Sequence, residues 1–345
     1  LIYWLRVNLF SSVANSIITL VSLYLLYLAL PASINWLFLD ATYVGETRKD
    51  CAPDGACLAF IGERFNLFVY GFYPEHLRWR VNLATILLVI ASAAVLWDSI
   101  PARKYMLRFA LVYPFIGAWL LSGGFGLEHV GTHLFGGLML TLTIGVTGIV
   151  GSLPLGILLA LGRQSNLPII KYFCVGFIEF IRGVPLITLL FVASTMLSYF
   201  LPPGTTFDLL MRVLIMVTLF ASAYMAEVIR GGLQALPKGQ LEAAESLGLN
   251  YSQAMRFIIL PQALKISIPG IVNTFIGLYK DSTLVIVIGL LDPLGIGRAS
   301  VADSAWLGLS TEVYLFVAIF FFISCFAMAR YSLYLENKLN TGHKR

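Results

Sequence analysis

EAAESLGLNYSQAMRFIILP, from Glu242 to Pro261, is the only long polar run between the strongly apolar segments of the C-terminal half. The apolar positions in its first part are Ala243, Ala244, Leu247 and Leu249. Their spacing predicts a short amphipathic helix over Leu241–Leu247, and Gly248 supplies a permissive backbone where the chain can turn. A second short helix is predicted from about Ser252, with Pro261 ending it. Two short helices joined at a glycine between membrane spans would form an elbow that suits docking into a groove of another protein.

The composition indicates an integral membrane protein. Of 345 residues, 59% are hydrophobic and 12% are charged, whereas soluble domains average about 45–50% and about 25%. One soluble core cannot absorb that excess of apolar side chains. The net charge of +5 comes largely from basic residues in short loops, which favours orientation in a membrane over binding to nucleic acid.

The apolar segments predict an all-α fold with about eight transmembrane helices, because a helix needs about 20 apolar residues to cross a bilayer. The predicted spans are Val13–Leu30, Val81–Trp97, Phe109–Leu121, a span within Leu134–Gly162, one that starts at Pro185, Leu209–Ile229, Ile266–Leu291 and Val313–Ala329. Pro31 is expected to end the first span. Asn166–Gly183 is shorter and charged, so an interfacial helix is predicted there.

The distribution of basic residues predicts that both termini are cytoplasmic. Eight spans then place the elbow on the cytoplasmic side and the long loop at about 40–80 outside. Cys51 and Cys57 lie in that loop, and the turn between them could close a disulfide in an oxidising compartment. Two free thiols are the alternative.

No motif for catalysis is found. The sequence lacks a phosphate-binding loop of the G-x-x-x-x-G-K-[ST] type and an H-E-x-x-H zinc helix. We therefore expect neither ATP hydrolysis nor a metal site in this chain.

A short pattern, E-x-I-R-G, occurs twice, at Glu179–Gly183 and at Glu227–Gly231. Glutamate and arginine three residues apart can pair on a helix, and glycine can take the cap position. Simple helix termination is one interpretation. The other is a gate, or a brace for the elbow, formed by Glu179, Arg182, Glu227 and Arg230.

The seventh predicted span is interrupted by Lys280, Asp281, Ser282 and Thr283. Charges inside a membrane are costly, and they usually face a bundle interior or a water-filled path. Interrupted spans are also where transporters form substrate sites. A substrate pathway is one interpretation and a structural Lys–Asp pair is the other. Further pathway candidates are Asn273, Thr141 and Thr143.

The elbow resembles the EAA loop of ABC importer permeases. The pattern Glu-Ala-Ala, three residues, Gly, nine residues, Ile, one residue, Leu-Pro is met in residue and spacing by Glu242, Ala243, Ala244, Gly248, Ile258, Leu260 and Pro261. Phrases similar to the polar-amino-acid (histidine/glutamine-type) branch extend over roughly Leu134–Lys338: they include both E-x-I-R-G copies and Lys280–Leu284. The extra N-terminal spans resemble the longer permeases of the general L-amino-acid importer, in particular its M-type subunit.

This resemblance implies a type I ABC importer core of five helices in residues 134–345, with a cytoplasmic coupling loop at about 236–264. Residues 1–133 would add three helices and a large periplasmic loop. The seven motif residues would couple the chain to an ATPase. The chain would be a non-enzymatic, multi-pass subunit of the bacterial inner membrane that imports L-amino acids of broad or polar and acidic type.

The resemblance also implies the partners. They are two cytoplasmic ABC ATPases that hold ATP and magnesium, a second and related permease, a periplasmic amino-acid-binding protein and the lipid bilayer, without nucleic acid. The alternative from another class is an ion-coupled secondary amino acid transporter or channel that uses Lys280 and Asp281. It would leave the spacing of the elbow motif unexplained.

Overall fold

The computed structural model describes residues 2–97, 99–100, 102–196, 199, 202 and 207–339. Its α-helices are α1 (Ile2–Asn8), α2 (Val13–Ile34), α3 (Ala59–Glu63), α4 (Phe65–Tyr70), α5 (Arg78–Leu96), α6 (Arg103–Ser122), α7 (Gly137–Arg163), α8 (Pro168–Gly183), α9 (Leu186–Phe191), α10 (Leu209–Gln234), α11 (Gly239–Ser246), α12 (Tyr251–Ala254), α13 (Leu260–Asp281), α14 (Pro293–Ser300) and α15 (Ser310–Leu339). The predicted all-α membrane fold is confirmed.

Within the described residues, 7 helical segments are long and apolar enough to cross a membrane. An eighth crossing is obtained if α8 and the segment Leu186–Met196 count as one span. These two helices meet at a bend of 103°. The bend follows Gly183 and precedes Pro185, where the missing N–H and the restricted preceding residue prevent a straight helix.

The chain divides into two compact units. The first contains Leu1–Phe65 and Arg298–Phe316, and the second contains Asn66–Gly297 and Val317–Arg345. This division by contacts cuts the chain at other points than the sequence-based division at residue 133.

The second unit is built around α7 and α10, which pack along each other. Glycines on α7 allow the close approach: a Cβ at Gly151 would lie 2.6 Å from Thr218, and one at Gly156 would lie 2.6 Å from Met225, both on α10. Helices associate in lipid mainly through such close packing, since lipid is as apolar as the side chains. The result is one tightly packed bundle of α7, α8, α10 and α13.

In the first unit, the loop after α2 is fastened to residues 303–307. The Arg48 guanidinium donates a hydrogen bond of 2.9 Å to the Leu307 carbonyl. Arg64 forms an ion pair of 2.6 Å with Asp303. We call this arrangement the strapped loop (residues 40–65 with residues 303–312).

Two prolines do not end helices where the sequence predicted. Pro31 lies inside α2, whose helical path continues through a π turn at Asn35–Leu39. Pro261 lies at the start of α13, directly after a π turn at Met255–Ile259. Because proline lacks an N–H, Pro261 is tolerated directly after a turn with a wider hydrogen-bond pattern. Pro31 instead lies four residues before its π turn, within regular α-helix. The helix therefore runs from Tyr251 past Pro261 without a break.

Candidate coupling and translocation site

The elbow comprises α11, the turn at Gly248, α12 and the residues that follow it as far as Pro261. Gly248 has φ +78°. Its N–H bonds to the Glu245 carbonyl at 2.9 Å, and the Leu249 N–H bonds to the Ala244 carbonyl at 3.2 Å. This pair of bonds is the Schellman motif, which needs a left-handed residue at the position of Gly248. Helix α12 then begins with a capping box between Asn250 and Gln253.

The inner face of the elbow packs on the bundle. Ala244 is 1% exposed. Ile258 and Leu260 are half-buried against a core cluster that includes Ile229 and Ala263 on α10 and α13. These motif residues therefore hold the elbow in place and do not form its outer surface.

The outer face of the elbow is open. Glu242, Ala243 and Pro261 are exposed, and Leu247 is 79% exposed. The predicted apolar stripe is thus divided, since Ala244 faces the bundle while Ala243 and Leu247 face outward. The outer face presents a carboxylate beside a large apolar side chain, which is suited to a groove in another protein.

Beside the elbow, Glu227 on α10 lies among three arginines. Its carboxylate is 2.7 Å from Arg230, 3.1 Å from Arg163 and 3.5 Å from Arg182. The Glu227 side chain is 14% exposed, whereas that of Glu179 is 55% exposed. Since these residues lie on α7, α8 and α10, one carboxylate joins three helices.

The two E-x-I-R-G copies behave differently. Glu227 pairs with Arg230 on the same helix, as the spacing predicts. Glu179 instead accepts a hydrogen bond of 2.7 Å from Arg163, and Arg182 lies over the ring of Tyr224. Gly231 does not cap α10, because the helix continues to Gln234.

Sequence reasoning did not identify Arg163 as a site residue. It contacts both Glu179 and Glu227, but it is 16 residues from the first of them. The available signal was a lone basic residue at the end of a glycine-rich span.

Residues Lys280–Thr283 mark the point where α13 ends and a 3₁₀ helix, Ser282–Ile288, begins. Lys280 is exposed and Ser282 is buried. The Ser282 hydroxyl donates to the Tyr279 carbonyl, and the Thr283 hydroxyl donates to the Lys280 carbonyl. Both hydroxyls are therefore hydrogen-bonded within the segment itself. The exposed group of the segment is the Lys280 side chain.

The remaining pathway candidates are spread over the bundle. Asn273 is exposed on α13, two turns before Lys280. Thr141 on α7 is fully buried, and its hydroxyl has no hydrogen-bond partner within the described part of the chain. Thr143 donates to the Met139 carbonyl and lines a cavity of about 140 Å³ between α5, α6, α7 and α10. Thr143 therefore faces the N-terminal helices.

A buried carboxyl lies at the start of α14. Asp292 accepts a hydrogen bond of 2.9 Å from the Gly295 N–H. Burial raises its pKa from 3.8 to about 6, and the Gly295 and Leu294 backbone bonds oppose the shift. The second carboxyl oxygen is buried without a partner in the part of the chain that the structure describes.

In the strapped loop, Cys51 and Cys57 are joined as a disulfide, with Cα atoms 5.5 Å apart. The Cys57 N–H donates to the Glu312 carboxylate at 3.2 Å. The rings of Phe60 and Trp306 lie 5.6 Å apart. Elsewhere among the described residues, no cluster of three or more His, Cys, Asp or Glu side chains could hold a metal ion.

Comparison with known proteins decides the family. Residues 152–341 match the model of the family described as binding-protein-dependent transport system inner membrane component. The chain belongs to this family. The match covers the whole of the Glu227 cluster, the elbow and the Lys280 segment.

The relatives of this permease are similar along nearly their whole length. It is 54% identical to the inner membrane amino-acid ABC transporter permease protein YhdY of Escherichia coli, over 98% of this chain and 93% of that protein. It is 45% identical to the glutamate/glutamine/aspartate/asparagine transport system permease protein BztC of Rhodobacter capsulatus, over 99% of this chain and 94% of the relative. A solved structure, the crystal structure of an amino acid ABC transporter with histidines, is 32% identical, covers 58% of this chain and 91% of that chain, and has a TM-score of 0.51.

These findings confirm the prediction that the chain is an ABC importer permease. They favour this family over an ion-coupled secondary transporter. The permease is a multi-pass inner membrane subunit whose family works with ATPase subunits and a substrate-binding protein. ATP hydrolysis in such importers belongs to the partner subunits.

Proposed function

We propose that this permease imports L-amino acids, with a preference for polar and acidic ones. Two observations support the substrate class. The relatives named above carry amino-acid or glutamate/glutamine/aspartate/asparagine transport in their names. In addition, Lys280 supplies an exposed positive charge within a predicted span, and such a charge attracts a carboxylate in a low-dielectric path.

The elbow is proposed as the docking element for an ATPase. The observation that carries this proposal is that the elbow has two different faces. Its outer face, with Glu242 and Leu247, is exposed, and its inner face is held against the bundle at Ala244. A rigidly held projection transmits force, because motion of the docked partner cannot be absorbed by the elbow itself. The helix that begins at Tyr251 carries this motion toward Lys280.

A second, related permease is proposed to cover one face of α13. Ile266, Asn273 and Lys280 follow at seven-residue intervals and are all exposed. Seven residues are about two helical turns, so these side chains share a face. A face with an amide and an ammonium is costly against lipid. Two permeases would therefore enclose a pathway there, with two ATPases below them.

We further propose that ATP and magnesium bind only in those ATPases, and that an amino-acid-binding protein delivers substrate on the opposite side. Both termini and the elbow are then cytoplasmic, and the strapped loop with Cys51 and Cys57 is periplasmic. This orientation agrees with the positive-inside rule and with a disulfide in an oxidising compartment.

The cluster at Glu227 is proposed as a brace for the elbow. Glu227 precedes the elbow on α10 and joins α7 and α8 through Arg163 and Arg182. Its low exposure strengthens these ion pairs relative to surface pairs. Movement of the elbow would therefore act on three helices together.

Purification in mild detergent from native membranes tests the assembly. We expect an ATPase and a second permease to copurify with the wild-type chain, and the ATPase to be lost from Glu242→Lys. The matched control is Glu245→Lys, an equal charge change on another exposed residue of α11. Loss from both variants, or from neither, would contradict the assigned docking face.

Uptake of radiolabelled amino acids by cells tests the substrate pathway. Lys280→Met should lower uptake of glutamate more than that of glutamine, because only glutamate carries the extra carboxylate. Lys265→Met, a second exposed lysine on α13, should change neither. Equal loss for both substrates would argue against direct recognition by Lys280.

A further inference from the structure

The turn between α6 and α7 presents one aromatic ring to the outside. Phe125 is 100% exposed and has φ +49°. It lies at the tip of a tight hairpin in which the Gly124 and Leu127 backbones bond to each other at 2.9 and 3.2 Å. A left-handed backbone is unfavourable for phenylalanine, and Asn, Asp or Gly is the usual residue in such a turn. Nothing in the fold offsets that strain by burying the ring.

The hairpin is held rigidly. The Trp119 indole donates to the Gly124 carbonyl at 2.8 Å. The Val130 N–H donates to the Ser122 carbonyl at 3.0 Å. A Cβ at Gly123 would lie 2.1 Å from the Glu128 carbonyl oxygen, so the two arms of the turn pass in close contact.

A second set of bonds fixes both arms of the hairpin to the bundle. The Arg80 guanidinium donates to the Glu128 carbonyl at 2.7 Å. The hydroxyl of Tyr73 donates to the Leu121 carbonyl at 2.8 Å. The strained tip is therefore imposed by its surroundings, which is typical of a residue kept for contact with something outside the chain.

The position of the hairpin indicates what the Phe125 ring contacts outside the chain. Thr132, just after the hairpin, hydrogen-bonds to Asp208 at the start of α10, so the hairpin lies at the end of the bundle opposite the elbow. Below it, α6 exposes Leu111 and Phe115 (77% exposed) at four-residue spacing with Trp119. This stripe is suited to lipid, and Trp119 joins its upper end to the hairpin.

We propose that Phe125 is a membrane anchor that inserts into the lipid headgroup region of the leaflet opposite the elbow. Phenylalanine, like tryptophan and leucine, is typical of apolar side chains that enter the boundary between headgroups and acyl chains, where burial of the ring is favourable. The continuity of Phe125 with the lipid-facing stripe of α6 distinguishes this site from a surface for a soluble partner. The anchor fixes the depth and tilt of α6 and of the α6–α7 connection.

Spin labelling tests the environment of the ring. A nitroxide is attached to Phe125→Cys in the full chain with Cys174 and Cys325 replaced by serine, reconstituted in lipid nanodiscs with the partners that copurify. Labels at Phe115→Cys and at Asn166→Cys, an exposed residue of the α7–α8 connection outside the elbow, provide the lipid and water references. We expect the ratio of oxygen collisions to collisions with a water-soluble nickel complex at Phe125→Cys to lie between the ratios at the lipid and water references, as it should at the depth of the headgroups.

Two outcomes would overturn the proposal. Nickel accessibility equal to that of Asn166→Cys would show that the ring is in water. Low accessibility to both reagents would show that a protein partner covers the hairpin.

A second variant separates the anchor from a structural role. Phe125→Asn relieves the left-handed strain and removes the apolar ring. We expect an unchanged or higher melting temperature in detergent and a lower one in nanodiscs, each relative to the wild-type chain. A shift of the same sign and size in both media would mean that Phe125 has no specific contact with the bilayer.

Discussion

Replacing Gly248 by alanine isolates the geometry of the elbow from its contacts. A Cβ at Gly248 meets nothing within 4 Å, so the substitution creates no clash. The cost comes only from φ +78°, and a left-handed backbone costs an ordinary residue about 1–2 kcal/mol. The wild-type elbow already holds this turn before docking, whereas the strained Gly248→Ala elbow relaxes away from it and has to return to it on docking. This cost should therefore appear in ATPase binding as an affinity lower by about 5- to 30-fold.

Gly239 offers a matched control on the same elbow. A Cβ there also meets nothing within 4 Å, but Gly239 begins α11 with an ordinary helical backbone. Gly239→Ala should leave affinity unchanged or slightly improve it, since alanine favours helix. The Gly248→Asn variant should lie between Gly248→Ala and wild type, because asparagine tolerates the left-handed region.

The assay is a titration of the purified ATPase against the permease in nanodiscs, with the dissociation constant measured for each variant. If Gly248→Ala and Gly239→Ala bind the ATPase equally well, the argument from backbone strain is wrong. If both bind much more weakly, the surface of α11 matters and its turn does not.

Three further predictions concern other sites. Glu227→Gln should lower amino acid uptake about tenfold or more at equal protein level, because three guanidinium groups lose their shared carboxylate; the exposed Glu179→Gln should lower it less than about twofold. Asp292→Asn should raise the melting temperature at pH 8, and its advantage should shrink toward pH 5. The reason is that burial raises the pKa of Asp292 to about 6, so the folded state favours the protonated form and loses stability as pH rises through that value. In intact spheroplasts, a membrane-impermeant maleimide should label Cys51, the more exposed cysteine of the pair, only after reduction; labelling without a reductant would contradict a periplasmic disulfide.

Hydropathy and local spacing predicted the membrane helices, because the cost of leaving backbone groups unbonded in lipid leaves few alternatives to a helix. The same local reasoning placed helix ends at Pro31 and Pro261, and there it was wrong. Pro261 directly follows a π turn, and α2 continues past Pro31 before it enters a π turn at Asn35. A π turn depends on a change in backbone bonding that residue type alone does not reveal.

At the candidate site, the residues close in sequence were the predictable ones. The pairing of Glu227 with Arg230 followed from a spacing of three. The partners of Glu179 and the role of Arg163 depend on how α7, α8 and α10 pack, and one chain without related sequences carries no direct signal of that packing. The strain at Phe125 was missed for a similar reason, since Gly123–Gly126 signals a turn without its type.

The uninterrupted helix from Tyr251 to Asp281 has a mechanical consequence. At 1.5 Å per residue it is about 45 Å long, so a tilt of about 5° around its midpoint would move each end by about 2 Å in opposite directions. The elbow at one end and Lys280 at the other then act as the two arms of a rigid lever. The stiffness of this helix, and not any local refolding, would determine how much of a displacement at Gly248 reaches the ammonium group of Lys280.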